Sequence, residues 1–200
     1  GHSDAQLALT SGMVIKPMFY DLPPINRATR RIALGLDPLR PTAVVMFGGQ
    51  GSQQMLRIAR ELDDVQLVLM CGRNGLLANQ CRTLRRSAKH AVVGFTEEVA
   101  DVMRLADFFI GKPGPGAISE AVQLGLPVIT IRNAWTMPQE RYNAQWVCEQ
   151  GIGLVVSSLS QLPSAAQRMI VGLAEFHAAT ARIDNRAVFE VPELLAGLLH

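Results

Sequence analysis

Residues 107–120 read Asp107-Phe108-Phe109-Ile110-Gly111-Lys112-Pro113-Gly114-Pro115-Gly116-Ala117-Ile118-Ser119-Glu120. A short apolar run stops at a glycine, passes through alternating proline and glycine, and enters a helix-forming stretch. Phe108 to Ile110 has no polar alternation, so it reads as a strand buried on both faces, the habit of parallel sheets. The Pro-Gly segment is a stiff bend with few side chains, and a helix starting at about Gly116 is predicted to run to Leu124.

The same grammar repeats on either side. Apolar runs at Ala43–Phe47, Gln66–Cys71, His90–Gly94, Leu126–Ile131 and Ile152–Val156 each read as a strand. Between them lie helix-period segments. Gln53–Leu62 places Met55, Leu56, Ala59 and Leu62 on one side. Asn74–Leu84 opens on a good N-cap and spaces Leu77, Cys81 and Leu84 helically. A helix from Thr96 to about Ala106 carries acids in its first turn and buries Val99, Val102, Met103 and Ala106. Pro138–Gln150 is a further one. Six strands alternating with helices predict an α/β fold with a doubly wound, six-stranded parallel sheet.

Beyond Val156 the pattern is helical only, with one helix expected over Leu162–Phe176 and a last short one over Pro192–His200. The first forty residues are broken by Pro17, Pro23, Pro24, Pro38 and Pro41 and read as the tail of an interdomain connection. Met13-Val14-Ile15 there is a short strand or linker, and Arg27–Leu34 a short helix. Gly1-His2-Ser3 reads as a tag remnant, so residues 1–12 are expected to be remnant and linker, and 13–200 one binding domain.

Composition limits the function classes. The chain has 200 residues, 48% hydrophobic and 18% charged, with 19 Lys plus Arg against 17 Asp plus Glu. A chain so apolar is not disordered, and near-neutral charge gives no support for nucleic-acid binding. No apolar stretch approaches the roughly 18 residues that cross a bilayer, and no secretory signal is seen. Cys71, Cys81 and Cys148 are an odd number without CxxC spacing, which argues against zinc or disulfides. They read as small buried hydrophobes in a reducing cytoplasm.

In doubly wound sheets ligands bind at the carboxyl ends of the strands. After the first strand comes Gly48-Gly49-Gln50-Gly51-Ser52, a loop that suits a phosphate at a helix start but matches neither GxGxxG nor a Walker loop. Arg73 and Asn74 follow the second strand, where an arginine can fork onto phosphate. Gly94-Phe95-Thr96 follows the third, and Phe95 there can pack on a base. After the fourth, Lys112 and the helix start behind Gly114, Gly116 and Ala117 favour an anion. Glu120, one turn on, can accept hydrogen bonds from two ribose hydroxyls. After the fifth, Gln139, Glu140 and Asn143 offer the donors and acceptors that sugar hydroxyls need. Each element alone has a plain alternative: a tight turn, a solvated Arg73, a core Phe95 with Thr96 as helix cap, Glu120 compensating a helix dipole, or a solvated face at Glu140 and Arg141.

Taken in order, Gly-Gly-x-Gly-Ser at 48–52, Gly-Phe-Thr at 94–96, Lys-Pro-Gly-Pro-Gly-x-Ile-Ser-Glu at 112–120 and Gln-Glu-x-x-Asn at 139–143 resemble one enzyme group. It is the GT-B glycosyltransferase family of monogalactosyldiacylglycerol synthases and the peptidoglycan N-acetylglucosaminyltransferase, over roughly residues 13–190. Cys-Gly-Arg-Asn at 71–74 and Gly-Pro-Gly at 114–116 lean toward the diacylglycerol branch. The resemblance implies a Rossmann-like, C-terminal donor-binding half of a GT-B fold. It implies an inverting transfer of a hexose from a UDP-sugar to a lipid such as diacylglycerol, with UDP-sugar as substrate and no cofactor or metal.

By that resemblance Gly49, Gly51 and Ser52 hold the diphosphate, with Arg73 and Asn74 near nucleotide or phosphate. Phe95, with Thr96 beside it, borders the uracil. Lys112 and the Gly114–Ala117 helix start face the diphosphate, and Glu120 takes the ribose. Gln139 and Glu140 contact the sugar, supported by Asn143. Relatives usually carry threonine where Ala117 stands, so a hydroxyl donor to phosphate is lacking.

The resemblance implies that an N-terminal, acceptor-binding half supplies the catalytic base; nothing in residues 1–42 can build one, and His2, His90, His177 and His200 do not lie in suitable loops. The fragment alone is expected to be inactive. The intact enzyme is expected at the cytoplasmic face of the membrane as a peripheral protein. Two other classes compete: a UDP-sugar 2-epimerase half-domain, and a non-catalytic nucleotide-binding module.

Overall fold

The computed structural model describes residues 7–134 and 136–198. Within them six strands form one parallel sheet: β1 (Thr42–Met46), β2 (Gln66–Gly72), β3 (His90–Gly94), β4 (Phe108–Gly111), β5 (Val128–Ile131) and β6 (Gly153–Val156). The spatial order is β3-β2-β1-β4-β5-β6. Every pairing is parallel, with Val44 opposite Val68 on one side and Phe109 on the other. Strand order therefore reverses between β1 and β4, which opens a crevice above their carboxyl ends.

The continuous apolar runs are explained by burial on both faces. Ala43, Val45, Leu67, Leu69, Phe108 and Ile110 point to one side and Val44, Met46, Val68, Met70 and Phe109 to the other. On the first side pack α2 (Gln54–Glu61), α3 (Gly75–Arg82) and α7 (Leu162–Val171), through Met55, Leu77 and Met169 among others. On the second pack α4 (Val99–Met103), α5 (Pro115–Gln123) and α6 (Pro138–Glu149), through Met103, Ile118 and Val147. α1 (Arg27–Ala33) is fixed below β4: the buried Arg31 donates from Nε to the Leu105 carbonyl and pairs with Asp107 at 2.7 Å.

Four expectations need correction. The helix read from Thr96 starts only at Val99, because Thr96 Oγ1 accepts the Glu98 N–H (3.0 Å) and closes a turn first. That helix ends at Met103. It buries Met103, while Val99 and Val102 stay half-buried. The long helix over 162–176 is two, α7 and α8 (Leu173–Thr180), broken at Gly172. The last helix, α9, runs Ala187–Leu198 with Pro192 inside it rather than at its start. Asn185 Oδ1 accepts the Ala187 N–H (3.1 Å) and begins it earlier. Finally, Cys148 is exposed on α6, whereas Cys71 and Cys81 are buried as expected.

Met13-Val14-Ile15 is not a strand, and the segment before it is tied to the other end of the chain. Ser11 N–H donates to Glu190 (2.7 Å), the Ser11 hydroxyl accepts the Arg186 N–H (2.7 Å), and Asn185 donates to the Met13 carbonyl (2.9 Å). Gly1-His2-Ser3 and His200 lie outside the described residues.

Candidate functional site

The loops after β1, β2, β3 and β4 line one cleft above the switch point, and glycine lets the first two of them touch backbone to backbone. Gly72 has φ +58°, and a Cβ there would overlap the Gly49 carbonyl. The same carbonyl accepts the Arg73 N–H at 2.9 Å, which locks the first loop to the second. At Gly51 (φ +61°) a Cβ would meet the Cys71 carbonyl at 2.7 Å and Leu77 at 2.8 Å. Gly51 therefore serves the packing of the loop.

A cleft of about 290 Å³ lies over this junction. Gly49, Phe95, Thr96, Gly116, Ala117 and Glu120 line it together. On α5, residues 116, 117 and 120 share one face by helical spacing. Gly114 caps the helix in an extended conformation and Pro115 occupies its first position, where a missing N–H costs nothing. Ile118 N–H already bonds the Gly114 carbonyl at 3.1 Å, so the Gly116 and Ala117 N–H groups are the donors this end turns outward.

Glu120 is half-buried at the cleft wall. Burial raises its pKa above the ordinary carboxylate value, and the nearby Lys16 charge partly offsets this. A carboxylate poised this way is a strong hydrogen-bond acceptor for a neutral diol. At the rim, the Arg73 guanidinium stacks on the cleft-lining Phe95 ring, 4.3 Å from its centroid, while Arg73 itself lines neither this cleft nor the next.

A second, more polar cleft of about 350 Å³ adjoins the first loop, lined by Ser52, Gln54, Lys112, Thr136 and Glu140 among others. Lys112 Nζ pairs with Glu140 Oε1 at 3.0 Å. Glu140 is buried, 7% exposed, so the reading of a solvated face fails there; Arg141 is exposed and its Nε donates to the Thr136 carbonyl (3.3 Å). Asn143, one helical turn on, donates to the Pro113 carbonyl at 2.8 Å.

The remaining candidates are placed as follows. Asn74 caps α3, its Oδ1 accepting the Leu77 N–H at 2.9 Å, and lines neither cleft. Gln139 is exposed on the first turn of α6, its amide against the Met137 sulfur. Ser52 Oγ accepts the Gln54 N–H at 3.3 Å. His90 and His177 bond the Cys81 and Gly125 carbonyls, away from both clefts. Among the described residues no group of three or more His, Cys, Asp or Glu side chains converges.

Sequence reasoning missed one wall. Lys16, Met18 and Phe19 reach the first cleft from the proline-rich opening segment, which carries no motif. The only local sign was the apolar pair Ile15 and Phe19 flanking Pro17, both buried at 5% and 3% exposure.

Comparison with known proteins identifies the family. Residues 42–187 match the family model "Glycosyltransferase family 28 C-terminal domain". The chain is 31% identical over 163 residues to the chloroplastic monogalactosyldiacylglycerol synthase of Spinacia oleracea, covering 76% of this chain and 30% of that protein. It is 29% identical over 157 residues to the processive diacylglycerol beta-glucosyltransferase of Bacillus subtilis (strain 168), covering 74% and 39%. Among solved structures, Acinetobacter baumannii MurG superposes with a TM-score of 0.68 at 16% identity, over 92% of this chain and 56% of that one. Os79 from O. sativa, solved in complex with UDP, gives 0.60 at 14% identity over 78% and 38%. The chain thus spans about 30–39% of those two curated relatives' length. With the strand order, the glycine junction and the family match together, the chain belongs to the glycosyltransferase family 28 C-terminal domains, with a Rossmann-like fold shared by GT-B glycosyltransferases.

Proposed function

We propose that this domain binds the UDP-sugar donor of an inverting hexosyltransferase whose acceptor is a lipid such as diacylglycerol. The observation that carries the reading is the cleft at the β1/β4 switch point, where Glu120 stands one turn above the open N–H groups of Gly116 and Ala117. In it the uracil packs beside Gly94 and Phe95, the ribose hydroxyls donate to Glu120, and the diphosphate lies across the α5 N-terminus toward the Gly49–Ser52 loop. The hexose then extends into the polar cleft beside Lys112 and the first turn of α6.

In the transfer, an acceptor hydroxyl attacks the anomeric carbon in line and loses its proton to a base from the acceptor-binding half, outside these 200 residues. The glycosidic bond to UDP breaks, and the charge growing on the β-phosphate meets Lys112, Arg73 and the helix N–H groups. UDP-sugar is consumed as substrate, so this half acts by orientation and electrostatics alone. The lipid acceptor puts the intact enzyme at a membrane surface, on the cytoplasmic side where UDP-sugars are made.

Titration calorimetry with UDP tests the donor site: wild type binds and Glu120→Ala binds much more weakly. Absence of heat with wild type, or equal binding by the variant, sinks the reading. With the full-length protein, UDP-hexose and diacylglycerol are expected to yield a glycolipid. Free 2-epimerised sugar would indicate an epimerase, and UDP binding without any product a regulatory module.

A further inference from the structure

The first two turns of α6 grip the loop that precedes α5 at two points. Glu140 holds the Lys112 ammonium at 3.0 Å, and Asn143 holds the Pro113 carbonyl at 2.8 Å. Residues 140 and 143 share one helix face, so a single rigid turn fixes the segment that sets where α5 begins. The pair lies directly beside the helix start: a Cβ at Gly114 would make ordinary van der Waals contact, 3.7 Å from Glu140 Oε1 and 3.4 Å from the Lys112 side chain.

The two partners differ in burial. The Glu140 side chain is 9% exposed and that of Lys112 48%. A carboxylate so enclosed needs its counter-charge, because removing one partner of a buried pair leaves an uncompensated ion. The ammonium has three donors and uses one on Glu140, so two remain turned to the open polar cleft. Lys112 therefore stays paired when an anion arrives, with its flexible stem already ordered.

We infer that Glu140 is a positioning residue for the diphosphate: through Lys112 it fixes a cation, and with Asn143 it fixes the α5 N-terminus, where a nucleoside diphosphate is held. This rests on the donor-site reading above and changes the part Glu140 plays in it, from an acceptor for the hexose to a brace for the phosphate contacts.

Calorimetry with three probes, uridine, UDP and UDP-glucose, separates the roles. For Glu140→Gln the expected result is a loss of roughly tenfold in affinity for UDP, the same factor for UDP-glucose, and no change for uridine, which has no phosphate. Lys112→Met is expected to reproduce that pattern, and the double variant to lose little more than either single one. Glu140→Asp keeps the charge but shortens the reach and is expected to fall between wild type and Gln. A loss confined to UDP-glucose overturns the inference and makes Glu140 a sugar ligand. Tighter UDP binding by Glu140→Gln also overturns it, since the carboxylate is then a competitor for the ammonium. Unchanged binding, or an equal loss of uridine, overturns it as well. Failure of wild type to bind UDP overturns the donor site itself, and this inference with it.

Discussion

The Arg73 guanidinium lies over the Phe95 ring, 4.3 Å from its centroid, so that the loops after β2 and β3 are joined at the mouth of the cleft. Both residues are exposed, and Phe95 retains 54% of its accessible surface. A stack at such a site is worth about 0.5–1 kcal/mol. Its larger effect is to hold an aromatic face and a cation in one orientation at the edge where the base and phosphates are proposed to enter. Arg73→Met is expected to lower UDP affinity roughly three- to tenfold and uridine affinity less, because charge and orientation are lost together. Competition binding with both ligands checks this; equal effects on the two would assign Arg73 to the base alone.

Gly72 carries the contact between the first two loops. Its φ of +58° and the Gly49 carbonyl directly beneath it leave no room for a methyl group. Gly72→Ala is expected to destabilise the domain by about 1–3 kcal/mol, the range for enforced backbone strain. It should also displace the Gly49 loop and weaken UDP binding. Gly116→Ala provides the contrast, since a Cβ there meets nothing within 4 Å. Denaturant melts of both variants test the difference, and a fully stable Gly72→Ala would contradict it.

Glu120 predicts a trade of stability for binding. Burial raises its folded-state pKa, so at low pH the carboxyl is protonated in both states and adds no penalty. As pH rises, the unfolded chain ionises first, and the folded state loses stability until its own pKa is passed. Glu120→Gln is therefore expected to melt higher than wild type at pH 7, by about 1–2 °C. The gain should vanish below about pH 4, where both proteins are neutral at this position. UDP affinity should fall in the same variant, the pattern of a residue kept for function. A variant that melts lower at neutral pH would reverse the assignment.

Ala117 stands where the family resemblance expects threonine, at the third position of α5, and it lines the first cleft. Ala117→Thr adds a hydroxyl beside the helix N–H groups without leaving a helical conformation. It is expected to tighten UDP roughly threefold or more and to leave uridine unchanged, as one added hydrogen bond to phosphate would. Weaker UDP binding would show that the cleft at residue 117 is filled by the ligand already.

Much of the molecule was legible in the chain. Runs such as Ala43–Phe47 and Gln66–Cys71 have no polar alternation because both of their faces are covered, and that pattern alone implied a parallel sheet with helices on either side. Asn74 and the Pro-Gly turn at 113–116 marked helix starts because capping and φ restriction are local physics. The errors were local in the same sense. Thr96 has the chemistry of a helix cap but closes a turn ahead of α4, and Pro192 has the form of a helix start but lies inside α9.

What the order of residues left open was distance. Glycines at 49, 51 and 72 signal backbone freedom, but only the β1–β2 register shows that Gly72 is needed to let two loops cross. Lys112 and Glu140 are 28 positions apart and carry no mutual signal; adjacent loops after β4 and β5 bring them to 3.0 Å. Lys16 reaches the cleft because Ile15 and Phe19 bury themselves against the second face of the sheet. Periodicity and capping report on neighbours along the chain, so sequence determined the strands, the helices and the loops that carry chemistry. Contacts between loops depend on strand order and on what each buried side chain displaces, so only the tertiary structure decided which of those residues share a cleft and which merely hold it open.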